Sequence, residues 1–511
     1  MTEQLALLPG YLTAHLQLTL FALLAGTLVS IPLGVLVSRV RWLESPVLGA
    51  ASVLQTVPSL ALLAVMVPAL AALGLRSIGF LPAFIGLVVY SLLPMLRNTV
   101  TGLAAIDPAI LEAARGVGMT PWQQLLRVEL PLAMPVLLAG VRTSTVLTVG
   151  VATLSTPVGA PSLGNYIFSG LQTRNLAAVL VGCVAAAVLA LCLDGLVRAL
   201  GAAVLGRRRG RTIVVALVLG ALYVYAGASF VQEARAGSAG RVVVGAKTFT
   251  EQYILGQVLS GHIRAATGAT TEVASSLGST VVFDALRAGD IDVYVDYTGT
   301  IWSTVMHRDT VAGGRAAVLD EVGQYLATQH GIVLVGALGF ENAYALAMRR
   351  PQAEALGIRR ISDLRAHAPQ WVVGGDYEFF GRPEWKAIGA AYGLQFRAMR
   401  TMDPSLMYQG AASGAVDVVS AYSTDGRIAA FDLRVLDDDR GAIPPYDAVI
   451  LAGPRLVRER PDVVAALRQL TGTIDEDRMR RMNLAVDQQG ESPASVAEVL
   501  LRDLRDRRRE P

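Results

Sequence analysis

The stretch GRVVVGAKTFTEQ, residues 240–252, carries glycines and a lysine at almost the spacing that binds phosphate. A phosphate-binding loop reads G-x-x-x-x-G-K-[ST], with backbone N–H groups and the lysine cradling the anion. Gly240 and Gly245 keep that spacing, but Ala246 stands between Gly245 and Lys247, so the Gly-Lys step is lost. No second, Asp-bearing nucleotide motif accompanies it. What remains is a strand-to-helix turn whose free N–H groups suit an anion such as a carboxylate.

The other constellations that would do chemistry are missing from the sequence. There is no nucleophile elbow, zinc motif or supported Ser/His/Asp set, so the chain is not read as an enzyme and no cofactor is expected on it. Its five histidines are scattered without ligand spacing, and Cys183 and Cys192 share one apolar run. Neither a metal site nor a disulfide in the soluble half is expected. LDDDR, residues 436–440, reads as a solvated turn. Two lysines, Lys247 and Lys386, stand among 44 basic residues, which reads as codon usage.

Composition sets the frame for these residues. Of 511 residues, 53% are hydrophobic and 17% charged, too apolar for one water-soluble globule. Charge-free runs dominate up to about residue 232, and beyond 240 the composition is that of a soluble domain. A net charge of +3, with no basic stripe among aromatics, argues against a nucleic-acid partner.

A membrane helix needs about 20 largely apolar residues. The runs predict six spans, near 14–38, 47–70, 78–98, 133–155, 175–197 and 212–231. The first lacks a basic leader and is long for a signal peptide, so it is expected to stay. Arg39 and Arg41, then Arg97, Arg115 and Arg127, then Arg207, Arg208, Arg209 and Arg211 flank alternate loops. The positive-inside rule puts these loops in the cytoplasm, and the N-terminus and everything after 232 outside. Asp194 and Arg198, four apart, are expected to pair. Arg142 lies inside span four, a candidate for translocation or for snorkelling to the interface.

Between spans three and four lies EAARGVGMTPWQQLLRVELPLAMP, residues 112–135. It predicts helix, turn, helix: Gly116 and Gly118 break the first, Thr120-Pro121 caps the second, and Pro131 stops it. Trp122, Leu125, Leu126, Val128 and Leu130 fall mostly on one face, suiting lipid or a partner's groove. The spacing of Glu112, Ala113, Ala114, Gly118, Val128, Leu130 and Pro131 resembles the EAA loop of ABC importer permeases. LPLAMPVLLAGVRTSTVLTVGVATL and PSLGNYIFSGL resemble the glycine betaine, carnitine and choline group. The resemblance implies that this loop docks into a separate ATPase subunit, with Glu112, Ala113, Ala114, Gly118 and Pro131 as coupling residues.

After a small-residue linker, 233–240, RVVVGAK predicts a buried strand. TEQYILGQVLSGHIRAATG predicts a helix with Thr250 as its N-cap. ALRAGDIDVYVDY and GAASGAVDVVSAY repeat a helix-then-strand plan, so a parallel sheet flanked by helices is expected. GAKTFTEQYILGQ, VYVDYTGT, GFENAYALAM, MDPSLMYQGAASGAVDVVSAYSTDGRI and LDDDRGAIPPYDA resemble substrate-binding proteins for quaternary ammonium compounds, over 241–511. The implied fold is an all-α six-span membrane domain followed by a two-lobed, type II periplasmic-binding-protein-like α/β domain. The implied domains are 1–232 and 241–511, the latter with one lobe near 241–340 and 449–511 and the other near 341–448.

A trimethylammonium group has no hydrogen-bond donor and is held by aromatic faces, each worth about 0.5–2 kcal/mol. The resemblance implies a cage at Tyr297, Tyr344 and Tyr422, with Phe249, Tyr377 and Phe379 nearby. Thr300 belongs to the same Y-T-G-T turn as Tyr297. Thr248, Glu251, Asn342 and Thr424 complete the set from the matching turns. GGDYEFFGRPEW, residues 374–385, adds Asp376, Glu378 and Arg382. Arg382 suits a ligand carboxylate, and Glu341 or Glu378 a ligand N–H or a cation. So many polar groups leave room for a larger betaine, such as the histidine-derived thione ergothioneine.

The function expected is the membrane subunit of an ATP-driven importer with its receptor fused to it, in a cell membrane. It would work as a homodimer with a separate ATPase. A ligand-gated channel, which also joins such receptors to membrane helices, is the rival of another class; the T-V-G-Y-G filter it would need is missing.

Overall fold

The computed structural model describes residues 2–173, 175–206, 208–236, 240–308, 314–376 and 378–507. The chain divides into two compact units: Met1–Phe168 with Ala177–Ala239, and Ser169–Leu176 with Gly240–Pro511.

The membrane half runs as α1 (Thr2–Arg39), α2 (Arg41–Thr56), α3 (Ser59–Ala72), α4 (Phe80–Ala104), α5 (Pro108–Gly116), α6 (Pro121–Gln124), a π turn (Leu125–Glu129), α7 (Leu130–Ala152), α8 (Gly164–Gln172), α9 (Leu176–Leu205) and α10 (Arg209–Ala236). Among the described residues five helical stretches are long and apolar enough to cross a membrane, and a bent pair makes a sixth. Small residues bring α1 against α4. A Cβ on Gly26 would fall 2.1 Å from Ser91 Oγ, and one on Gly34 2.6 Å from Thr99 Cγ2. Close backbone approach of this kind drives helix association in lipid, where no hydrophobic force acts between helices.

Four expectations change here. The span near 47–70 is two helices, α2 and α3, bent by 98°. Val57 and Pro58 are extended, with ψ 128° and 130°, because a residue before proline is pushed out of the helical region. Pro131 does not stop its helix. It sits in the first turn of α7, and the π turn before it absorbs the misfit without a break. Asp194 pairs with Arg142, not with Arg198, through two bonds of 2.8 and 2.9 Å. Finally, α10 continues to Ala236, into the expected linker; residues 237–239 lie outside the described set.

The loop helices follow their capping residues. The Asp107 carboxylate accepts from Ala109 N ahead of α5, and Thr120 with Gln123 forms a capping box ahead of α6. The apolar residues after Thr120 do not share one face: Trp122 and Leu126 are exposed, while Leu125 is buried. Buried Glu129 takes Arg39 at 2.6 Å and Gln124 at 2.7 Å, tying the end of α1 to the π turn.

Among the described residues the second unit holds ten strands: β1 (Val242–Lys247), β2 (Thr271–Leu277), β3 (Val293–Tyr297), β4 (Val333–Glu341), β5 (Tyr344–Arg349), β6 (Val372–Gly375), β7 (Ala398–Thr401), β8 (Val418–Tyr422), β9 (Leu433–Val435) and β10 (Asp447–Ala452). They form two five-stranded sheets, β2-β1-β3-β10-β4 and β7-β6-β8-β5-β9. Both are mixed, not parallel. β10 runs antiparallel to β3 and β4, and β5 antiparallel to β8 and β9. The chain leaves the first sheet after β4, builds the second, and re-enters the first from the opposite direction as β10. Val242 and Val244 of β1 pack with Ile254, Leu255, Val258, Leu259 and Ile263 of the helix Thr250–Thr267 in one buried cluster.

Candidate functional site

Gly245, one of the two glycines that mimic a phosphate loop, is a packing residue. A Cβ there would lie 2.6 Å from Ile291 Cδ1 and 2.9 Å from Val282 Cγ2. Thr250 is not the N-cap but the first helical residue, and Phe249 holds the cap position. The Thr250 hydroxyl instead donates to Asp487 at 2.6 Å. Thus β1 ends by delivering Lys247, Thr248, Phe249, Thr250 and Glu251 to one wall of a cavity of about 280 Å3. That size suits a small organic solute.

Opposite stand residues at the ends of the second sheet and its loops: Tyr344 from β5, Tyr422 from β8, Asp376 and Glu378 after β6, and Arg382. Tyr297 ends β3 and Thr300 follows it; Asn342 and Tyr446 stand where the chain passes between sheets, and Thr424 follows β8. Three tyrosines form one aromatic group. The Tyr344 ring centroid is 5.1 Å from that of Tyr422 and 5.8 Å from that of Tyr446, the latter edge-on. Tyr297 stands 6.2 Å from Phe249. Every hydroxyl is engaged: Tyr422 with Asp376 at 2.7 Å, Tyr446 with Glu384, and Tyr297 with Glu251 at 2.5 Å; Tyr344 meets Tyr422 at 3.5 Å. Burial pushes all four phenols up, so they stay neutral and offer their ring faces.

Cations already sit near two of these rings. The Arg382 guanidinium lies 5.3 Å from the Tyr344 centroid, and Lys247 Nζ 5.7 Å from that of Tyr297. Lys247 is also bonded to Asp296 at 2.5 Å, so this lysine has a structural role that codon usage does not explain. Arg382 pairs with Glu378 at 2.7 Å, while its Nε is buried with no partner.

Glu251 is the hub. Its carboxylate accepts from Tyr297, Asn342, Thr424 and Asn483 at 2.5, 3.0, 2.5 and 3.2 Å. Burial pushes its carboxyl up, and these four donors pull it back. The Oδ1 atoms of Asn342 and Asn483 are buried without partners.

Of the candidates named from the sequence, Thr248, Phe249, Glu251, Tyr297, Thr300, Asn342, Tyr344, Glu378, Arg382, Tyr422 and Thr424 line the cavity. Glu341 and Phe379 do not. Glu341 ends β4 and accepts weakly from Tyr446 N, and Phe379 is fully buried behind Tyr344 at 5.3 Å. Tyr377 lies outside the described residues. The sequence reading missed Ser279, Asp425, Arg427, Tyr446, Asn483 and Asp487, which also line it. Tyr446 stood in the LDDDRGAIPPYDA stretch. Asn483 and Asp487, one turn apart on the helix Glu476–Asp487, had no local signal.

Comparison with known proteins bears on both halves. Residues 240–503 match the family model for the substrate binding domain of ABC-type glycine betaine transport systems. Residues 26–206 match that for the binding-protein-dependent transport system inner membrane component. The chain belongs to the glycine betaine-type ABC importers, as a permease fused to its substrate-binding domain. In this importer family it is 29% identical to an ergothioneine transport permease/ergothioneine binding protein, EgtU of Helicobacter pylori, over 88% of this chain and 82% of the relative. It is 41% identical to the osmoprotectant import permease protein OsmW of Salmonella typhimurium, over 37% and 90%. A crystal structure described as a glycine betaine/carnitine/choline ABC transporter is 30% identical, covering 51% of this chain and 98% of that one, with a TM-score of 0.47. The altered phosphate loop thus lies inside the region that matches a substrate-binding domain, at the wall of its cavity.

Proposed function

We propose that this importer takes up a quaternary ammonium solute bearing a carboxylate, powered by a separate ATPase that docks on the loop around α5 and α6. Two copies would form the pore, with the N-terminus and the binding domain outside the cytoplasm. The observation that carries the solute assignment is the group of Tyr344, Tyr422 and Tyr446. These are neutral rings with occupied hydroxyls, one already beside a guanidinium. Such faces attract a cation that no hydrogen bond can hold. Arg382, with its free Nε, suits the carboxylate. Calorimetry on the purified chain with glycine betaine, carnitine and choline tests this. The carboxylate-bearing solutes should bind more tightly than choline, and Arg382→Ala should remove that difference.

A second reading is a histidine-derived thione betaine. It is favoured by the likeness to EgtU along most of the chain and by acceptors at Asp376 and Glu378 for ring N–H groups. Ergothioneine in the same titration decides between them. Tighter binding than glycine betaine, weakened by Asp376→Asn, would select it.

A further inference from the structure

The second span carries a break at a depth where a lipid-facing chain does not tolerate one. α2 and α3 meet at 98° across Val57 and Pro58, and no side chain caps the N-terminus of α3. The Val57 carbonyl accepts instead from the Tyr90 hydroxyl of α4. α4 has 25 residues from Phe80 to Ala104. Tyr90 therefore lies about 15 Å along it at 1.5 Å per residue, midway through a hydrocarbon layer of about 30 Å. In hydrocarbon, irregular backbone persists only where protein covers it or where it lines water. Here Thr56 and Pro58 are exposed, and Gln55, Val57 and Ser59 half-buried. One amide and two hydroxyls thus gather beside the open backbone.

We infer that this break, with Gln55, Thr56 and Ser59, lines the aqueous route by which the solute crosses the permease. The inference rests on the importer reading above. The Thr56 hydroxyl donates to the Val53 carbonyl at 2.7 Å, which leaves its oxygen, like the Gln55 amide oxygen, able to face a cation that cannot donate hydrogen bonds. The two prolines of the segment also differ in meaning: Pro58 makes the break, whereas Pro68 sits inside α3 without one.

The test uses the whole chain, with its ATPase, carrying Cys183→Ser and Cys192→Ser, both exposed on α9. Thr56→Cys and Ser59→Cys are introduced singly, with Val218→Cys on the exposed face of α10 as control. A membrane-impermeant trimethylammonium methanethiosulfonate is added to both sides of vesicles. At least one of Thr56→Cys and Ser59→Cys should gain the reagent's mass and lose at least tenfold in uptake, with solute binding unchanged, and Val218→Cys should stay unmodified. Two cysteines left unmodified while uptake proceeds would overturn the inference, as would modification that leaves uptake intact. Labelling is read by mass and needs no solute, so a wrong solute assignment would show in the titrations and not here.

Discussion

The Tyr297 hydroxyl donates to the Glu251 carboxylate at 2.5 Å, and the same carboxylate takes Asn483 from 232 positions further along the chain. One buried anion therefore fixes an aromatic wall of the cavity and ties it to the helix Glu476–Asp487. Glu251→Gln would turn an N–H toward hydroxyls and amides that now donate to the carboxylate, so one of them must turn to accept or a donor is stranded. A stranded buried donor costs about 1–3 kcal/mol. The expected result is a lower melting temperature and roughly tenfold weaker solute binding, read by thermal denaturation and calorimetry.

Acidity should act through the same group. Burial raises the Glu251 carboxyl above its ordinary value of about 4.3, against the pull of Thr424, Tyr297, Asn483 and Asn342. The folded chain thus holds this proton more tightly than the unfolded one. The resulting stabilisation is full below about 4.3 and is lost as pH rises through the raised value. Affinity for a cation runs the other way and rises over that window as the carboxyl ionises. Melting curves and titrations across the acid range check both trends, and Glu251→Gln should flatten them.

Tyr422 separates ring from hydroxyl. Tyr422→Phe keeps the ring and gives up the bond to Asp376, a loss of about 1 kcal/mol. Tyr422→Ala removes the ring and should weaken binding about tenfold or more. Equal losses in the two variants would mean that the hydroxyl, not the aromatic face, meets the solute.

The membrane pair offers a double-mutant test. Arg142 donates two hydrogen bonds to the Asp194 carboxylate inside the spans. Removing either leaves a lone charge that costs about 2.5–3.5 kcal/mol at mid-membrane. Arg142→Leu and Asp194→Leu should each lower the amount of chain in the membrane, and the double variant should restore it with uptake retained. A well-folded double variant that cannot transport would assign Arg142 to the solute route instead.

Local periodicity carried much of the fold. The alternation of β1 with its following helix needed only Val242–Val244 and the apolar face of Ile254 to Ile263, and the cap at Thr120 needed only its neighbours. Long-range geometry was not legible. Asp194 had a local partner at Arg198, yet chose one 52 positions away. Pro58 marked a break, but the angle depends on how α4 packs. Asn483 and Asp487 line the cavity from a helix that follows the return of the chain to the first sheet as β10, the strand that makes that sheet mixed.

Whether tyrosine faces hold a positive charge is tested by titrating the purified chain with choline and with its uncharged tert-butyl isostere, 3,3-dimethylbutanol. The two have nearly the same shape and differ in the cation. With about 0.5–2 kcal/mol per ring at stake, the account predicts that choline binds at least tenfold more tightly. Equal affinity for the two would contradict it.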